Sequence, residues 1–528
     1  MAPRMNPIRR LGLVACLAAT LGLGTPAASA APPLDWFDTH GPTAQVTVAI
    51  DLLRQAADHG LDPADYHAQA LADAASQQAQ SGHWNDEARR VVFDAALTAA
   101  MQRYLSDLYA GRVTPAQVRA RFAPRPQGPL DAATLLRHAL ASGRLAETAQ
   151  DLARQLPMAQ PLQAALRQYR SLAGQPGWQT PLPVPARGKL VAGDGYPALA
   201  ELERRLTAVG DLQARPAPQQ VDDILIAAVR RFQLRHGLEP DGVVGRLTLA
   251  RLNVTPAQRA RQIALTMERL RWTPLLQGRR MIVVNVPEFM LRAYTVEDGR
   301  VDVQLEMKII VGKALDTRTP LFDEDMRYIE FSPYWNVPRS IALQETLPKL
   351  REEPGYFAQQ GFEFVTPDRR VVEVLSDAAI EAVQQGQWRI RQRPGPHNAL
   401  GAIKFIFPNN DNIYLHHTPA PRLFARQRRD FSHGCIRVEA PVALARFVLQ
   451  DDPRWNHERI EEAMNAGVSR TIRLRETLPV LIAYSTVVVK HGQVYFHDDL
   501  YGHDRLLDEA LRARSAALAR TRTPLSGP

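Results

Sequence analysis

Cysteine is nearly absent: the 528 residues contain two, Cys16 and Cys435. So few thiols exclude a disulfide framework and the paired, closely spaced cysteines of structural zinc sites. Long hydrophobic runs are also missing. Only a short N-terminal stretch is continuously apolar, and it is too brief to cross ~30 Å of hydrocarbon as a permanent span. No repeat of solenoid length is visible, which excludes stacked-repeat architectures. The chain carries 64 Lys and Arg against 55 Asp and Glu, a formal charge of +9, yet the basic residues are scattered and form no stripe. That balance points to an anionic partner and argues against nucleic acid.

Residues 1–30 have the form of an export signal. Arg4, Arg9 and Arg10 make a positive head, Leu11 to Gly24 a short apolar run, and Ala28-Ser29-Ala30 a small-x-small cleavage pattern. The expected location is therefore periplasmic. A rival reading takes Leu13-Val14-Ala15-Cys16 as a lipobox with Cys16 lipidated, although the apolar run continues well past that cysteine. Removal of the signal leaves Cys435 as a lone thiol in an oxidising compartment. Such a thiol is either deeply buried or employed.

The pattern along the chain predicts a multidomain α+β protein. Residues 31–185 read as a helical scaffold, with apolar residues at three- and four-residue spacing over Val46–His59, Asp86–Leu108 and Ala132–Leu140, closed by the Pro-rich linker Pro176–Pro185. Residues 190–254 form a smaller unit of three helices, Tyr196–Val209, Ile224–His236 and Val244–Leu252. Its Phe232-Gln233, Gly-bearing turn and Asp241-Gly242-Val243-Val244-Gly245 follow in the order that resembles a peptidoglycan-binding module. From residue 279 to 476 the period changes to that of strands, at Met281–Val286, Leu291–Val296, Val303–Val311, Arg327–Phe331 and Phe405–Phe407, with a turn at 297–300. An insertion at about 339–392 reads as helical, at Glu345–Lys349 and Asp377–Gly386, and its size suits a lid. Helices at Val442–Leu449 and Arg459–Ala466 follow. Residues 477–528 read as further strands (Pro479–Val489, Gln493–Phe496) and a helical tail packing on that domain.

Chemistry concentrates between Ile413 and Val438. A thiol attacks only as thiolate, and at neutral pH it needs an imidazole to take its proton. His416 and His417 upstream and His433 two residues before Cys435 all qualify, and spacing does not choose among them. Gly434 lets the backbone approach a substrate carbonyl, so amides around Gly434 and Cys435 are candidate oxyanion donors. Tyr414, two residues from His416, shares its strand face and can offer a hydroxyl to the same oxyanion. These histidines and the single cysteine lack the paired spacing of a zinc site, so no metal is expected. The run Arg422, Arg426, Arg428, Arg429 reads as a solvated loop facing an anionic wall.

The upstream His416, with Ser432-His433-Gly434-Cys435-Ile436-Arg437 nineteen residues on, resembles the signature of the L,D-transpeptidases. Tyr334-Trp335-Asn336-Val337-Pro338 and Asn398-Ala399-Leu400-Gly401 are similar to the large periplasmic branch of that family, which joins a helical scaffold, a peptidoglycan-binding module and a lid-bearing catalytic domain. The resemblance implies that Cys435 is the nucleophile, His416 the general base oriented through the backbone carbonyl of His417, and His433 a supporting residue. His417 itself departs from the residue that commonly follows the motif histidine. Arg437 matches a motif position near the substrate and suits a carboxylate. The resemblance also implies cofactor-free acyl transfer from a tetrapeptide stem, with release of D-alanine and formation of a 3→3 cross-link. Peptidoglycan stems and other wall-synthesis enzymes are the implied partners. Water as acceptor (an L,D-carboxypeptidase), a lipoprotein amine as acceptor, and a non-catalytic wall-binding role through residues 190–254 are the alternative readings.

Overall fold

The computed structural model describes residues 36–520 apart from 82, 125–127, 156–157, 217, 276–277 and 299. The expected export signal, Cys16 and Gly299 of the expected turn lie outside the described residues, as do 521–528. Among the described residues, no helix is long and apolar enough to cross a membrane.

The N-terminal helices form where their three- and four-residue apolar spacing predicts. Helix α1 (Glu87–Ala110) is capped by Asp86, whose carboxylate accepts from Ala88 N at 3.0 Å and Arg89 N at 3.3 Å. Its buried face, with Phe93, Leu97, Met101 and Tyr104, centres a core of its own that also takes in Trp36, Leu53 and Tyr66. The next unit contains helices Leu199–Ala208, Asp223–Arg235 and Arg246–Leu252 around Leu202, Leu206, Leu225 and Phe232. Gln233 is buried at its centre, donating to Asp241 Oδ1 at 2.7 Å and Thr248 Oγ1 at 3.0 Å and accepting from Gly242 N at 2.8 Å. The Phe-Gln and Asp-Gly elements of the sequence are thus the two halves of one hydrogen-bonded lock.

Helix α2 (Pro256–Trp272) falls between the sequence-predicted units and was not anticipated there. It is buried along most of its length, and its charged residues Arg259, Glu268, Arg269 and Arg271 are buried together with its apolar ones, which blurs the amphipathic pattern. Thr255 and Gln258 form its capping box. Glu268, fully buried on it, accepts from Arg112 Nε at 3.1 Å and from the backbone amides of Arg112 and Val113. Arg514, on the C-terminal helix α4 (His503–Arg520), reaches Asp107 of α1 at 2.8 Å. Scaffold, α2 and the C-terminal helix are therefore joined by buried charge.

The catalytic-type domain is a ten-stranded sheet. Eight of its strands close into a barrel: β1 Arg280–Asn285, β2 Met290–Glu297, β3 Arg300–Gly312, β4 Leu321–Phe331, β5 Ile403–Ile406, β6 Leu415–His416, β7 Ile436–Val438 and β8 Arg470–Ala483. Around the barrel the order is β5-β6-β7-β3-β2-β1-β8-β4, and β5 pairs with β4 to close it. Alternation turns Ile329, Phe405, Leu415, Ile436 and Val438 into the interior. Strand β8 runs through residue 476, so a domain boundary placed there falls within a barrel strand.

The insertion differs from the helical expectation. It holds helices Leu347–Glu352, Gly355–Gln359 and Asp377–Gln384, but also a four-stranded sheet made of Trp335–Asn336, Phe362–Val365, Val371–Val372 and Arg389–Gln392. These strands are two to four residues long, too short for alternation to register in sequence. Phe357, Phe362, Phe364 and Ile390 give the insertion its own small core.

Burial opposes ionisation of Glu268, but Arg112 and Arg271 beside it hold its carboxyl below the usual range. Glu268→Ala leaves those guanidinium groups without their buried counter-charge and should destabilise the protein by about 3 kcal/mol. The pair's contribution is present above the unfolded carboxyl value of ~4.3 and is lost as pH falls through the lower folded value. The difference in thermal midpoint between wild type and variant should therefore be full at neutral pH and shrink only in strong acid.

Candidate active site

Two short strands bring together residues far apart in sequence. Strands β6 and β7 pair in parallel, Leu415 opposite Ile436 and His416 opposite Arg437. Leu415 and Ile436 point into the barrel, so Tyr414, His416, Cys435 and Arg437 share its outer face. Ile436 N donates to Tyr414 O at 3.1 Å, which locks the register at the nucleophile's neighbour.

His416 is 4% exposed. Its Nδ1 lies 2.6 Å from the carbonyl oxygen of His417, which can only accept, so the proton sits on Nδ1 and Nε2 keeps a free lone pair. Burial and the Arg437 guanidinium lower its pKa to about 3, against the pull of the His417 and Leu400 carbonyls. The ring is consequently a neutral acceptor at physiological pH. Burial also pushes the Cys435 thiol up, opposed by hydrogen bonds from Tyr414 and by the charges of Lys404 and Arg437. The resting pair is thus a thiol and a neutral imidazole. Cys435 Sγ lies 3.6 Å from Asn412 O, its hydrogen-bond acceptor in this state.

The other sequence candidates separate by position. His433 is exposed and meets Glu345 Oε1 through Nε2 at 2.6 Å, so it faces the insertion. Glu345 lies in a π-helical turn, Ala342–Thr346. The His417 ring accepts from Ala402 N at 3.2 Å and packs against Gly401, where an added Cβ would come within 2.5 Å of the imidazole. It therefore fastens β5 to β6. Gly434 sits at φ +113°, where a side chain is strained, and an added Cβ would press on Ile413 Cδ1 at 3.2 Å. Its amide is already engaged, donating to Ser432 Oγ at 3.2 Å, while Ser432 Oγ donates to Cys435 O at 2.5 Å. Among the described residues, Cys435 N–H is left without an acceptor. Arg437 Nε is buried and unpartnered.

The arginine run departs from the expected solvated loop at one residue: Arg422, Arg426 and Arg428 are exposed, but Arg429 is not. Arg429 is buried, donating to Ile309 O at 3.1 Å, Arg426 O at 2.7 Å and Phe289 O at 3.1 Å, while Arg428 pairs with Asp430 at 2.6 Å. These bonds fix the path from β6 to β7. Lys404 was missed by sequence reasoning. It stands opposite His416 on β5, and its Nζ lies 4.1 Å from the centroid of the Tyr414 ring. A lone lysine on a strand carries no signal until the register is known. Among the described residues, no group of three or more His, Cys, Asp or Glu is arranged to hold a metal.

Lys404→Met should raise the thiol pKa of Cys435. A partly buried charge interaction of about 1 kcal/mol corresponds to roughly fivefold slower alkylation at a fixed pH below that pKa. Lys404→Arg should keep most of the rate. The check is the pH profile of iodoacetamide labelling, and equal profiles for wild type and Lys404→Met would show that Lys404 does not act on the thiol.

Residues 279–464 match the model of the L,D-transpeptidase (YkuD) catalytic domain, 31–166 that of a scaffold domain, and 196–252 that of a peptidoglycan-binding domain. A Haemophilus influenzae protein named provisionally as an L,D-transpeptidase is 31% identical over 249 residues, 47% of this chain and 49% of that protein. The chain thus matches about half the length of this curated relative. A crystal structure of an L,D-transpeptidase from Stackebrandtia nassauensis is 14% identical, covering 56% of this chain and 94% of its own at a TM-score of 0.22. A fused Zn-dependent amidase/peptidase/peptidoglycan-binding protein from Clostridium acetobutylicum is 13% identical, covering 56% and 99% at a TM-score of 0.18. Neither structural likeness is close enough to carry an argument. The family models span seven of the eight barrel strands, all but β8, and the three-helix unit described above, and on that basis residues 279–464 form an L,D-transpeptidase catalytic domain, accompanied by a scaffold and a peptidoglycan-binding domain.

Proposed function

We propose that the protein is an extracytoplasmic peptidoglycan L,D-transpeptidase that forms 3→3 cross-links through a thioester on Cys435. The observation that carries this reading is the neutral His416 imidazole, its Nε2 lone pair free, beside a protonated thiol on the same sheet face. The thiol swings from Asn412 O to His416 Nε2, which takes its proton as Sγ attacks the carbonyl of the third residue of a donor tetrapeptide. Cys435 N–H and the Tyr414 hydroxyl receive the oxyanion. The C–N bond to the terminal D-alanine then breaks, and His416 returns the proton to the leaving amine. In the second half-reaction the side-chain amine of a diamino acid on another stem attacks the thioester, giving His416 its proton and expelling the Cys435 thiolate. Arg437 holds a substrate carboxylate with its unpartnered Nε. The insertion, touching the site through Glu345 and His433, excludes the water that would turn transfer into hydrolysis.

Mass spectrometry after incubation with a tetrapeptide stem should show the tripeptidyl adduct on Cys435, and its formation rate should fall at least about a hundredfold in His416→Ala. Loss of the adduct in His433→Ala but not in His416→Ala would reverse the roles of the two histidines. Because His416 is neutral down to about pH 3 and the thiol is raised, the acylation rate should be flat from mildly acidic pH to above neutrality. An inflection near the ordinary histidine value of ~6.5 would contradict the neutral pair.

A further inference from the structure

We propose that the cleft between helix α3 (His457–Asn465) and the first half of β8 binds the carboxylates of the acceptor stem, making it the acceptor subsite of the transfer reaction. This inference rests on the acyl-transfer reading above. Strand β8 pairs with β4 along Arg470–Arg473 but meets β1 only from Val480 onward, so its first residues keep an edge with no strand partner among the described residues. There a cleft of about 660 Å³ opens, lined among others by Arg454, Trp455, Arg459, Glu462, Arg470 and Arg473.

Its charge is one-sided, with four guanidinium groups lining it against one carboxylate. Arg454 is paired with Asp452 at 2.6 Å. Among the described residues, Arg459, Arg470 and Arg473 have no carboxylate partner: Arg459 meets the Arg454 carbonyl at 3.0 Å, and Arg470 lies over Trp455 at 5.5 Å. Trp455 is held flat by stacking on Phe331, with centroids 5.1 Å apart and 19° between planes. Unpaired guanidinium forks beside an aromatic face suit planar carboxylates on a peptide.

The outer face that holds His416 runs to the edge of the cleft, where Thr471 and Arg473 lie on that face of β8 while Arg470 and Ile472, opposite Phe331 and Ile329, lie on the other. Thr471 stands opposite Glu330, Glu330 opposite Lys404, and Lys404 opposite His416, so all four occupy one row on the outer face of the barrel. Three strand spacings of ~4.8 Å make that row about 14 Å long. An extended three-residue stem spans about 10 Å, and the side chain that carries its amine adds several more. An acceptor with its amine at the Cys435 thioester therefore places its carboxylates at the rim of the cleft. Glu330 lies along this path, its carboxylate 3.2 Å from Ser469 Oγ, where it can meet the incoming ammonium. That ammonium loses one proton to solvent and a second to His416 as the new C–N bond forms and the C–S bond breaks, so the thiolate leaves with the electron pair.

The test uses the full chain carrying Arg470→Gln and Arg473→Gln together. The acceptors are a synthetic tripeptide stem with free carboxylates and the same peptide with its carboxylates amidated. With a tetrapeptide donor, the acceptor KM for the free-carboxylate peptide should rise about tenfold and the product should shift toward hydrolysis, while thioester formation on Cys435 keeps its wild-type rate. The amidated peptide should show the raised KM already with wild type. An unchanged acceptor KM in the double variant, or thioester formation slowed as much as transfer, would overturn the subsite. Calorimetric binding of the free tripeptide to Cys435→Ala protein, with and without the arginine changes, separates the two proposals. Charge-dependent binding without any thioester on wild type would sink acyl transfer and keep the cleft. Thioester formation with binding indifferent to the arginines would do the reverse.

Discussion

The site depends on one constraint, the parallel pairing of β6 with β7. Parallel neighbours cannot be joined by a tight turn, and most are linked by a helix that packs over the sheet. Here the crossover holds only a short helical turn, Pro421–Ala425, and a three-residue strand, Asp430–Ser432, that pairs in parallel with β3, and the paired strands are only two and three residues long. The pairing holds because both strands are gripped from outside. Strand β5 lies against β6 and β3 against β7, while Arg429 ties the crossover to carbonyls of Phe289 and Ile309. A buried guanidinium satisfied by backbone carbonyls substitutes for the crossover helix that is missing. Its position in the sequence, among four arginines of a polar stretch, suggested a solvated loop because composition does not reveal which guanidinium turns inward.

Once the register is fixed, the electrostatics follow from burial. A thiolate–imidazolium pair needs solvation that this surface denies to His416, so both partners rest neutral. The thiol is then inert until a base takes its proton during attack, which limits its oxidation at rest. Lys404 and Arg437 flank the pair without neutralising it and favour the negative charge that develops on sulfur and then on oxygen. Ser432 serves differently, accepting from Gly434 N and donating to Cys435 O, so that the left-handed turn before the nucleophile is held in shape.

Sequence made the large divisions legible because each rests on a periodic pattern long enough to register. Helices such as Glu87–Ala110 and Asp223–Arg235 and strands such as Arg300–Gly312 begin and end within a few residues of expectation. What escaped did so for identifiable reasons. The helix Pro256–Trp272 buries charged residues alongside its apolar ones, and the strands of the insertion are too short to alternate visibly. In the site, Cys435 and His416 were legible through residue type and motif. Lys404 and Glu345 were not, because their relevance lies in contacts across the barrel and across 88 residues of chain.

The same point bears on how the domains are joined. The peptidoglycan-binding domain is not tethered by a flexible linker alone. Arg235, buried beside Asp211, donates to Val494 O at 2.7 Å, and His236 is stacked between Phe232 and Phe496, at centroid distances of 3.8 and 5.5 Å. Arg251 reaches Asp498 as well. A buried ion pair and a three-ring stack order this contact in a way surface charge does not. The domain's turn also touches the β6–β7 crossover, where Gln427 donates to Glu239 at 3.1 Å. On the proposed function, a wall strand held by this domain would be presented at a set distance from Cys435, and the effective concentration of stems at the thioester would depend on a fixed geometry instead of on linker length. In the proposed transfer reaction, where bulk water competes for the thioester, that arrangement would act on the same step as the insertion, one to keep water out and the other to keep peptide in.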